Sequence, residues 1–342
     1  MFRSLYTWPH RPLLFSSIII LCCGLMSVTA LTIWKPGGFL LGKSSDDSSQ
    51  SDFTVFGGNI EKLFIKNSSL SLVTLENGVI TEYGYESALD LDAHFRQMDY
   101  LLANVRNFQN FVPRLYLKNL PPDIADIESI KKRKQFFIKA ILPVILRINE
   151  DIIEARERLT KLKKTSELGI ALTKSQNIWI NRLAERYETT PEDWDSLLSR
   201  IDIVPPSLAI AQAAEESGWG TSRFAREGNA LFGQYTFVAS DGMLPEKREH
   251  GEQHLIRSYS SLFEAVGSYM HNLNYHPAYA EFRQERKYLR DNAMGLDGIQ
   301  LVGKLIRYSE RGTKYIEAIR HIIRSNDLSP LDHARLHEDG WT

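Results

Sequence analysis

Two adjacent glutamates, Glu215 and Glu216, stand at the end of an apolar stretch and could carry acid catalysis. Residues 208–214 are apolar with one exception, which predicts a helix that is buried on nearly all sides. Gly218–Gly220 then predict the end of that helix. Burial beside Trp219 should raise the pKa of Glu216, and a carboxyl group that stays protonated can act as a general acid.

The two glutamates should face different surroundings, because adjacent helical residues point about 100° apart. Glu216 shares its face of the helix with Ala209, Gln212 and Ala213. Two acids at the carboxyl end of a helix interact unfavourably with the helix dipole, so stability alone does not explain Glu215 and Glu216. The alternative interpretation is a pair of solvated glutamates without a chemical role.

His250-Gly251-Glu252-Gln253-His254 is a second motif with chemical potential, because its two imidazoles lie four residues apart. That spacing brings both rings to one metal ion in a helix, but the glycine and the surrounding alternation predict a turn and a strand. Cys22 and Cys23 are the two cysteines of the chain and stand side by side in an apolar run. This excludes a cysteine-cluster zinc site and a disulfide-stapled fold. We expect no metal and no cofactor.

The pattern around Glu216 also carries a family resemblance. The residues AQAAEESGWGTSRFA, followed by GNALFG, resemble the signature of bacterial glucosaminidases of glycoside hydrolase family 73, whose core is lysozyme-like. The usual form in that family is close to AQAALESGWG, followed by NLFG. The family's catalytic acid therefore aligns with Glu216. This chain departs from the usual form at two positions, since Glu215 replaces an apolar residue and Ala230 interrupts the second block. The flanking segments VPRLYLKNLPPDI, KKRKQFFIKAILPVIL and YSERGTKYIEAIRHIIRSN resemble the bacterial Bax family. The resemblance covers residues 112–326.

The resemblance implies site residues beyond Glu216. A tyrosine in a Pro-x-Tyr-Ala context lines the cleft in the family, and Tyr279 in the segment HPAYA has that form, so we include it among the catalytic candidates. The substrate-binding candidates are Trp219, Asn229, Phe232, Gly233 and Tyr259. The aromatic members could instead be ordinary core residues, since aromatic side chains commonly pack in protein interiors.

Many members of the family carry a second acid in a small lobe, and this chain departs from them there. Residues 245–251, PEKREHG, offer Glu246 and Glu249 without the usual threonine in register. We favour Glu249 because it lies nearer the turn at Gly251. A second carboxylate about 6.5–9.5 Å from Glu216 would indicate inversion, and about 5–5.5 Å would indicate retention. Substrate assistance by the N-acetyl group of the sugar is a third possibility, so the stereochemical outcome stays open.

Helical periodicity surrounds the acidic segment. Apolar residues recur at spacings of three and four from Phe137 to Leu162 and predict one long helix, in which Pro143 should cause a kink. Residues 232–259 carry β and turn signals and predict a small lobe. We therefore expect a mainly α fold of the α+β, lysozyme-like type. It would have a helical catalytic core with a small β-lobe, preceded by a long helix and an N-terminal membrane segment.

The amino-terminal part of the chain predicts export. From Pro12 to Trp34 no residue is charged, and these 23 residues would rise about 35 Å as a helix, enough for a bilayer core of about 30 Å. Arg3 and Arg11 precede the stretch and should keep the amino terminus in the cytoplasm. The alternative is a signal peptide cleaved after Ala30. Either interpretation puts the rest of the chain outside the cytoplasm.

Composition and turn signals divide the remainder of the chain. A hairpin is predicted where the runs 70–75 and 79–83 flank Asn77-Gly78. The expected organisation is a membrane segment or signal peptide at 1–34, a linker at 35–52, a region without an assigned role at 53–125, a helical region packed on the catalytic domain at 126–190, the glucosaminidase domain at 191–326 and a tail at 327–342.

Charge argues against nucleic acid as a partner. The formal net charge is −1, so the chain has no global basic field. Residues 131–164 contain eleven Lys and Arg against four Asp and Glu. Because no aromatic platform is interleaved with these charges, they predict the solvated face of a packed helix.

Together these features predict an enzyme that is anchored in the inner membrane by a single span and faces the periplasm. The expected partners are the membrane, through the N-terminal segment, and the glycan strands of peptidoglycan, in which the enzyme would hydrolyse β-1,4 bonds next to N-acetylglucosamine. The alternative from a different class is a non-catalytic protein that binds peptidoglycan or serves as a scaffold. An exported lipase or protease has no support, because the chain lacks a G-x-S-x-G motif.

Overall fold

Helices dominate the computed structural model, which describes residues 80–245 and 255–338. Within these ranges the α-helices are α1 (Ala88–Gln97), α2 (Leu102–Arg106), α3 (Ile130–Glu167), α4 (Lys174–Arg186), α5 (Trp194–Arg200), α6 (Pro206–Ser217), α7 (Arg223–Gly228), α8 (Leu262–Tyr275), α9 (Ala280–Asp291), α10 (Gly298–Leu301) and α11 (Thr313–Ser325). The strands are β1 (Glu82–Tyr83), β2 (Tyr116–Leu117), β3 (Tyr235–Thr236), β4 (Gly242–Met243) and β5 (Leu255–Arg257). Short 3₁₀ turns lie at Ile124–Asp126, Ala239–Asp241, Pro277–Tyr279, Val302–Lys304 and Ser329–His333. The expectation of a mainly α fold with a small sheet is confirmed.

The predicted long helix is α3, which has 38 residues and continues through Pro143. Its apolar stripe is buried and packs against α6, α8 and β2. The helix begins at a polar cap, since the Ser129 side chain accepts the backbone N–H of Lys132. Farther along, the buried Asn149 amide donates to the Val204 carbonyl at 2.9 Å, which fixes the chain just before α6.

Helix α6 lies in the middle of the core and carries the two adjacent glutamates. It is buried from Pro206 to Ala214, as its apolar composition predicted, and packs against α3, α10 and α11. Pro206 occupies a first-turn position, where its missing N–H costs nothing. The helix ends at Gly218, whose φ of 60° is left-handed and therefore favours glycine.

The small β-lobe follows α7 and is a three-stranded antiparallel sheet in the order β3-β5-β4. Ile256 of the central strand is paired with Tyr235 on one side and Met243 on the other. The lobe predicted over residues 232–259 is therefore confirmed for its described strands. A separate pair joins β1 to β2 in parallel, with Glu82 opposite Tyr116. The first strand and the turn of the hairpin predicted around Asn77-Gly78 lie outside the described residues.

The segment after α11 packs into the same hydrophobic core as the helices. Leu328 and Leu331 are fully buried, and Leu336 forms a bridge with Val112 near the start of the described chain. The Asp332 carboxylate accepts the backbone N–H of Ser207 at 2.7 Å. Residues 327–338 therefore close the amino-terminal end of α6.

Across residues 80–245 and 255–338, no helix combines the length and the apolar character needed to cross a membrane. The membrane segment predicted at 12–34 and the linker at 35–52 lie outside these ranges.

Candidate active site

Glu216 lies in the last turn of α6, and its side chain is open to solvent on one side. The protein atoms on the other sides still remove much of its hydration. This burial raises the pKa of Glu216 to about 7, opposed by a hydrogen bond from Tyr315 and the charge of Arg311 and assisted by the charge of Glu215. Near neutral pH the carboxyl group is therefore present in both protonated and ionised forms, as a group that gives up and takes back a proton requires. The pKa of Glu216 is raised, as expected from the sequence.

A chain of hydrogen bonds reaches Glu216 from inside the core. The Tyr269 hydroxyl donates to Gln212 Oε1 at 2.7 Å, and Gln212 Nε2 donates to the Tyr315 hydroxyl at 3.0 Å. The Tyr315 hydroxyl in turn faces the Glu216 carboxyl group and lowers its pKa. Gln212, Tyr269 and Tyr315 are all at most 1% exposed, so these bonds form without competition from water.

An aromatic cluster surrounds this chain. Phe232 stacks on Tyr269 with ring centroids 3.9 Å apart, and Tyr308 stacks on Tyr315 at 5.4 Å. Burial, together with the neighbouring charge of Glu216, raises the pKa of Tyr269, Tyr308 and Tyr315 well above the ordinary value. Their hydroxyl groups therefore remain protonated and stay available as hydrogen-bond donors.

Glu215 has a different partner from its neighbour. Its Oε1 accepts a hydrogen bond from Arg311 Nη1 at 2.6 Å, and the two side chains are 24% and 45% exposed. The Arg311 guanidinium lies over the Tyr315 ring, 5.8 Å from its centre. The arginine therefore compensates the second acid at the carboxyl end of α6, and the expected separation of the two glutamates into different surroundings is confirmed.

Gly233 is the small-lobe residue that approaches Glu216. A Cβ atom at this position would lie 3.4 Å from Glu216 Oε2. Its φ is +61°, a conformation that residues with a side chain rarely adopt. Both the backbone conformation and the open space beside the carboxyl group therefore depend on the glycine.

Three of the predicted site residues, Glu216, Phe232 and Gly233, lie together in this arrangement. Tyr279 joins it at the edge, because its buried ring lies 5.9 Å from that of Tyr308. The Trp219 side chain packs toward α3 instead. Its ring packs edge-on against Phe137 at 5.9 Å, and Lys134 Nζ lies 4.8 Å above it, so it contacts α3.

Asn229 and Tyr259 support the wall of the site. Asn229 ends α7 in a left-handed conformation with φ of 52°, and its amide donates to the Tyr259 carbonyl at 3.2 Å. The Tyr259 hydroxyl donates to Gln234 Oε1 at 2.6 Å and is also bonded to Ser268. These contacts hold the segment that carries Gly233 against the start of α8.

The remaining predicted site residues, Glu246 and Glu249, lie outside the described residues, as does the motif His250–His254. Among the residues that the structure does describe, no group of three or more His, Cys, Asp or Glu side chains is arranged to hold a metal ion. Glu215 is the described carboxylate whose charge raises the pKa of Glu216, and its pairing with Arg311 leaves it poorly placed to serve as a second catalytic acid.

Sequence reasoning missed the tyrosines nearest to Glu216. Tyr315 shares the buried side of α11 with Ile316, Ile319 and Ile323, a pattern that is typical of core residues. The available signal was the hydroxyl itself, because a tyrosine on an apolar helix face needs a polar partner inside the core.

A concave region with a volume of 630 Å³ lies apart from Glu216. It is bordered by Thr81, Tyr83, Arg114, Tyr116, Arg147, Glu150 and Glu154, together with Ile80, the first described residue. Arg114 Nη1 and Glu150 Oε2 lie 2.8 Å apart in it, so these charges satisfy each other. This region therefore does not compete with Glu216 as the centre of catalysis.

Comparisons with known proteins match the part of the chain that contains Glu216. A family model described as mannosyl-glycoprotein endo-beta-N-acetylglucosaminidase, the Glucosaminidase family, matches residues 192–328. Protein bax of Escherichia coli strain K12 is 33% identical over 200 residues, which cover 57% of this chain and 70% of that relative. No solved structure matches the chain. The matched range contains α6, the small lobe and the tyrosines of α8 and α11.

Proposed function

The chain belongs to the Bax family of bacterial proteins and carries a glucosaminidase domain, and from this we propose that it is a glycosidase that hydrolyses peptidoglycan. The bond cleaved is the β-1,4 bond that follows N-acetylglucosamine. The observation that carries the proposal is Glu216, an acid at the end of a buried helix with a pKa of about 7 and one side open to solvent. The layout of a helical core with a small β-lobe supports a lysozyme-like arrangement.

Glu216 is the general acid of the proposed reaction. Its protonated carboxyl group gives a proton to the glycosidic oxygen as the bond to the anomeric carbon breaks. Positive charge then develops on the sugar ring, and the negative charge left on Glu216 contributes to its stabilisation. The buried tyrosines beside Glu216 keep bulk water from one side of the acid, which sustains its raised pKa.

The second participant in the reaction is either a carboxylate of the small lobe or the substrate itself. Glu249, and after it Glu246, are the candidates for a carboxylate that activates water or forms an intermediate. The N-acetyl group of the sugar can supply the same stabilisation from within the substrate. Because Glu215 is tied to Arg311, we assign it no part in this step.

The site of action follows from the predicted N-terminal segment. We place the enzyme in the inner membrane through residues 12–34, with the glucosaminidase domain in the periplasm, where the glycan strands lie. Secretion into the periplasm after cleavage near Ala30 is the alternative.

Replacing each of the adjacent glutamates tests the function with a matched control. Glu216→Gln should lower turnover on purified peptidoglycan by roughly 10²–10⁴-fold, because it removes the proton but keeps the shape. Glu215→Gln makes the same chemical change one residue away and should lower turnover only a few-fold, through the loss of its contact with Arg311. The release of soluble glycan fragments measures turnover, and circular dichroism checks the fold. Equal losses in both variants, or binding without hydrolysis by the wild type, would overturn the assignment.

A further inference from the structure

Gln212 is a fully buried amide on the otherwise apolar face of α6, one turn before Glu216. A buried amide without hydrogen bonds would destabilise the fold, so its partners must be part of its role. Both ends of the amide are satisfied by tyrosines from other helices. Oε1 accepts from Tyr269 of α8, and Nε2 donates to Tyr315 of α11.

The structure orients the Gln212 amide with Oε1 toward Tyr269 and Nε2 toward Tyr315. The Tyr269 hydroxyl is a donor to Oε1, so the amide must present its NH₂ group to Tyr315. The Tyr315 oxygen is thereby occupied as an acceptor, and its single hydrogen is left for Glu216. A tyrosine hydroxyl with no such neighbour could rotate and accept a proton from the acid instead.

The direction of the Gln212 hydrogen bonds affects which carboxyl oxygen of Glu216 carries the proton. We propose that Gln212 is a positioning residue for catalysis, which makes Tyr315 a permanent donor to one carboxyl oxygen of Glu216 and so keeps the acid proton on the other oxygen, toward the solvent-exposed side of the residue. This role deepens the proposed function and rests on it. Gln212 acts only through Tyr315 and does not touch the substrate.

The role predicts how two substitutions combine. Gln212→Met removes both polar ends of the amide but keeps much of its volume, and it should lower kcat about tenfold with little change in KM, because the proton is no longer held toward the substrate. Tyr315→Phe keeps the ring that stacks on Tyr308 and should have an effect of the same size. In the Tyr315→Phe background, Gln212→Met should cause no further loss, since the two residues act in series.

The pH profile separates positioning from packing. A donor to the Glu216 carboxylate lowers its pKa, so both single variants should move the alkaline limb of the kcat profile to higher pH. A side chain that only fills space would leave the limb in place. Tyr100→Phe is the matched control, because Tyr100 is equally buried and its hydroxyl has no hydrogen-bond partner among the described residues.

The test compares the full-length wild type, the two single variants, the double variant and the control on purified peptidoglycan from pH 4 to 9. The inference is overturned if Gln212→Met keeps the wild-type kcat and leaves the alkaline limb of the kcat profile at the wild-type pH. It is also overturned if Gln212→Met lowers kcat equally in the wild-type and Tyr315→Phe backgrounds. A carbon-13 NMR titration of the Glu216 carboxyl group, assigned by its absence in Glu216→Gln, gives a readout without substrate. An upward shift of its pKa in Gln212→Met supports the inference even if the wild type proves inactive, in which case the proposed function alone fails. No shift in that titration overturns the inference.

Discussion

At the scale of single residues, Glu215 and Glu216 have the same chemistry and opposite surroundings. Glu215 is held by Arg311 at 2.6 Å, whereas Glu216 faces the Tyr315 hydroxyl and has a pKa of about 7. The helix geometry makes this separation predictable, because adjacent side chains point about 100° apart. The partners were not predictable, since both stand on a segment nearly one hundred residues further along the chain and contact α6 only in the folded protein.

The pKa of Glu216 predicts the alkaline limit of activity. The acid works when it is protonated, so kcat should be sustained below neutral pH and fall as the pH rises through about 7. Initial rates on purified peptidoglycan from pH 4 to 9 measure this limb. A flat profile between pH 6 and 8 would count against Glu216 as the acid.

The same shift predicts a dependence of stability on pH. The folded-state pKa of Glu216, about 7, lies above the ordinary value of 4.5, so between these values the folded protein holds a proton that the unfolded chain has lost. Its contribution to stability is therefore complete below pH 4.5 and is lost as the pH rises through 7. Urea unfolding should show the wild type losing stability relative to Glu216→Gln over this window. A constant difference between the two proteins would contradict the raised pKa.

Gly233 predicts a loss of activity that exceeds its loss of stability. Gly233→Ala puts a methyl group 3.4 Å from Glu216 Oε2 and forces a side chain into a left-handed conformation. We expect roughly tenfold lower kcat and a loss of about 1 kcal/mol in the free energy of unfolding. Gly169→Ala is the control, because Gly169 has a φ of +73° and no atom within 4 Å of the added carbon. It should lose similar stability and keep its activity; a parallel loss of activity there would remove the specific role of Gly233.

At the scale of secondary structure, the sequence was informative wherever the pattern was local. The buried α6, its glycine end and the long α3 all follow from apolar periodicity and from residues within a few positions. The role of Tyr315 could not be recognised in this way, because its spacing with Ile319 and Ile323 is that of a core stripe. Tyr279 came from the resemblance, and the structure puts it behind Tyr308 at the edge of the cluster.

The role of Asp332, at the amino-terminal end of α6, also depends on contacts with residues distant in sequence and could not be recognised from the local pattern. Its carboxylate accepts from the backbone N–H and the hydroxyl of Ser207, both at 2.7 Å, and from the Gly298 N–H at 3.3 Å. We expect Asp332→Ala to lower the free energy of unfolding by about 2 kcal/mol, because it leaves buried donors without an acceptor. The Asp297→Ala variant removes an exposed cap of α10 and should cost less than about 1 kcal/mol. Urea unfolding midpoints measure both, and equal effects would contradict the role of Asp332.

At the scale of the whole molecule, the described residues share one hydrophobic core that extends from Ala88 to Leu336. The long α3 contributes to it beside α6, and the segment after α11 completes it. The site depends on this shared core, since Glu216, Gly233 and Tyr315 come from separate parts of the chain.

The attachment of this molecule to the membrane is a separate prediction. If residues 12–34 are a retained anchor, the mature protein should begin at or near Met1 and sediment with the membrane fraction. Amino-terminal sequencing after fractionation measures both properties. A soluble species that begins near Leu31 would show that the segment is a cleaved signal peptide.

The chemical ends released from peptidoglycan show which glycosidic bond the enzyme cleaves and whether Glu216 is needed to cleave it. Purified peptidoglycan is digested with the wild type and with Glu216→Gln, the products are reduced with borohydride, and the new ends are identified by mass spectrometry. The account predicts reduced N-acetylglucosamine ends from the wild type and at least about 10²-fold fewer from a folded Glu216→Gln protein. Reduced or anhydro N-acetylmuramic acid ends, or equal amounts of product from the two proteins, would contradict it.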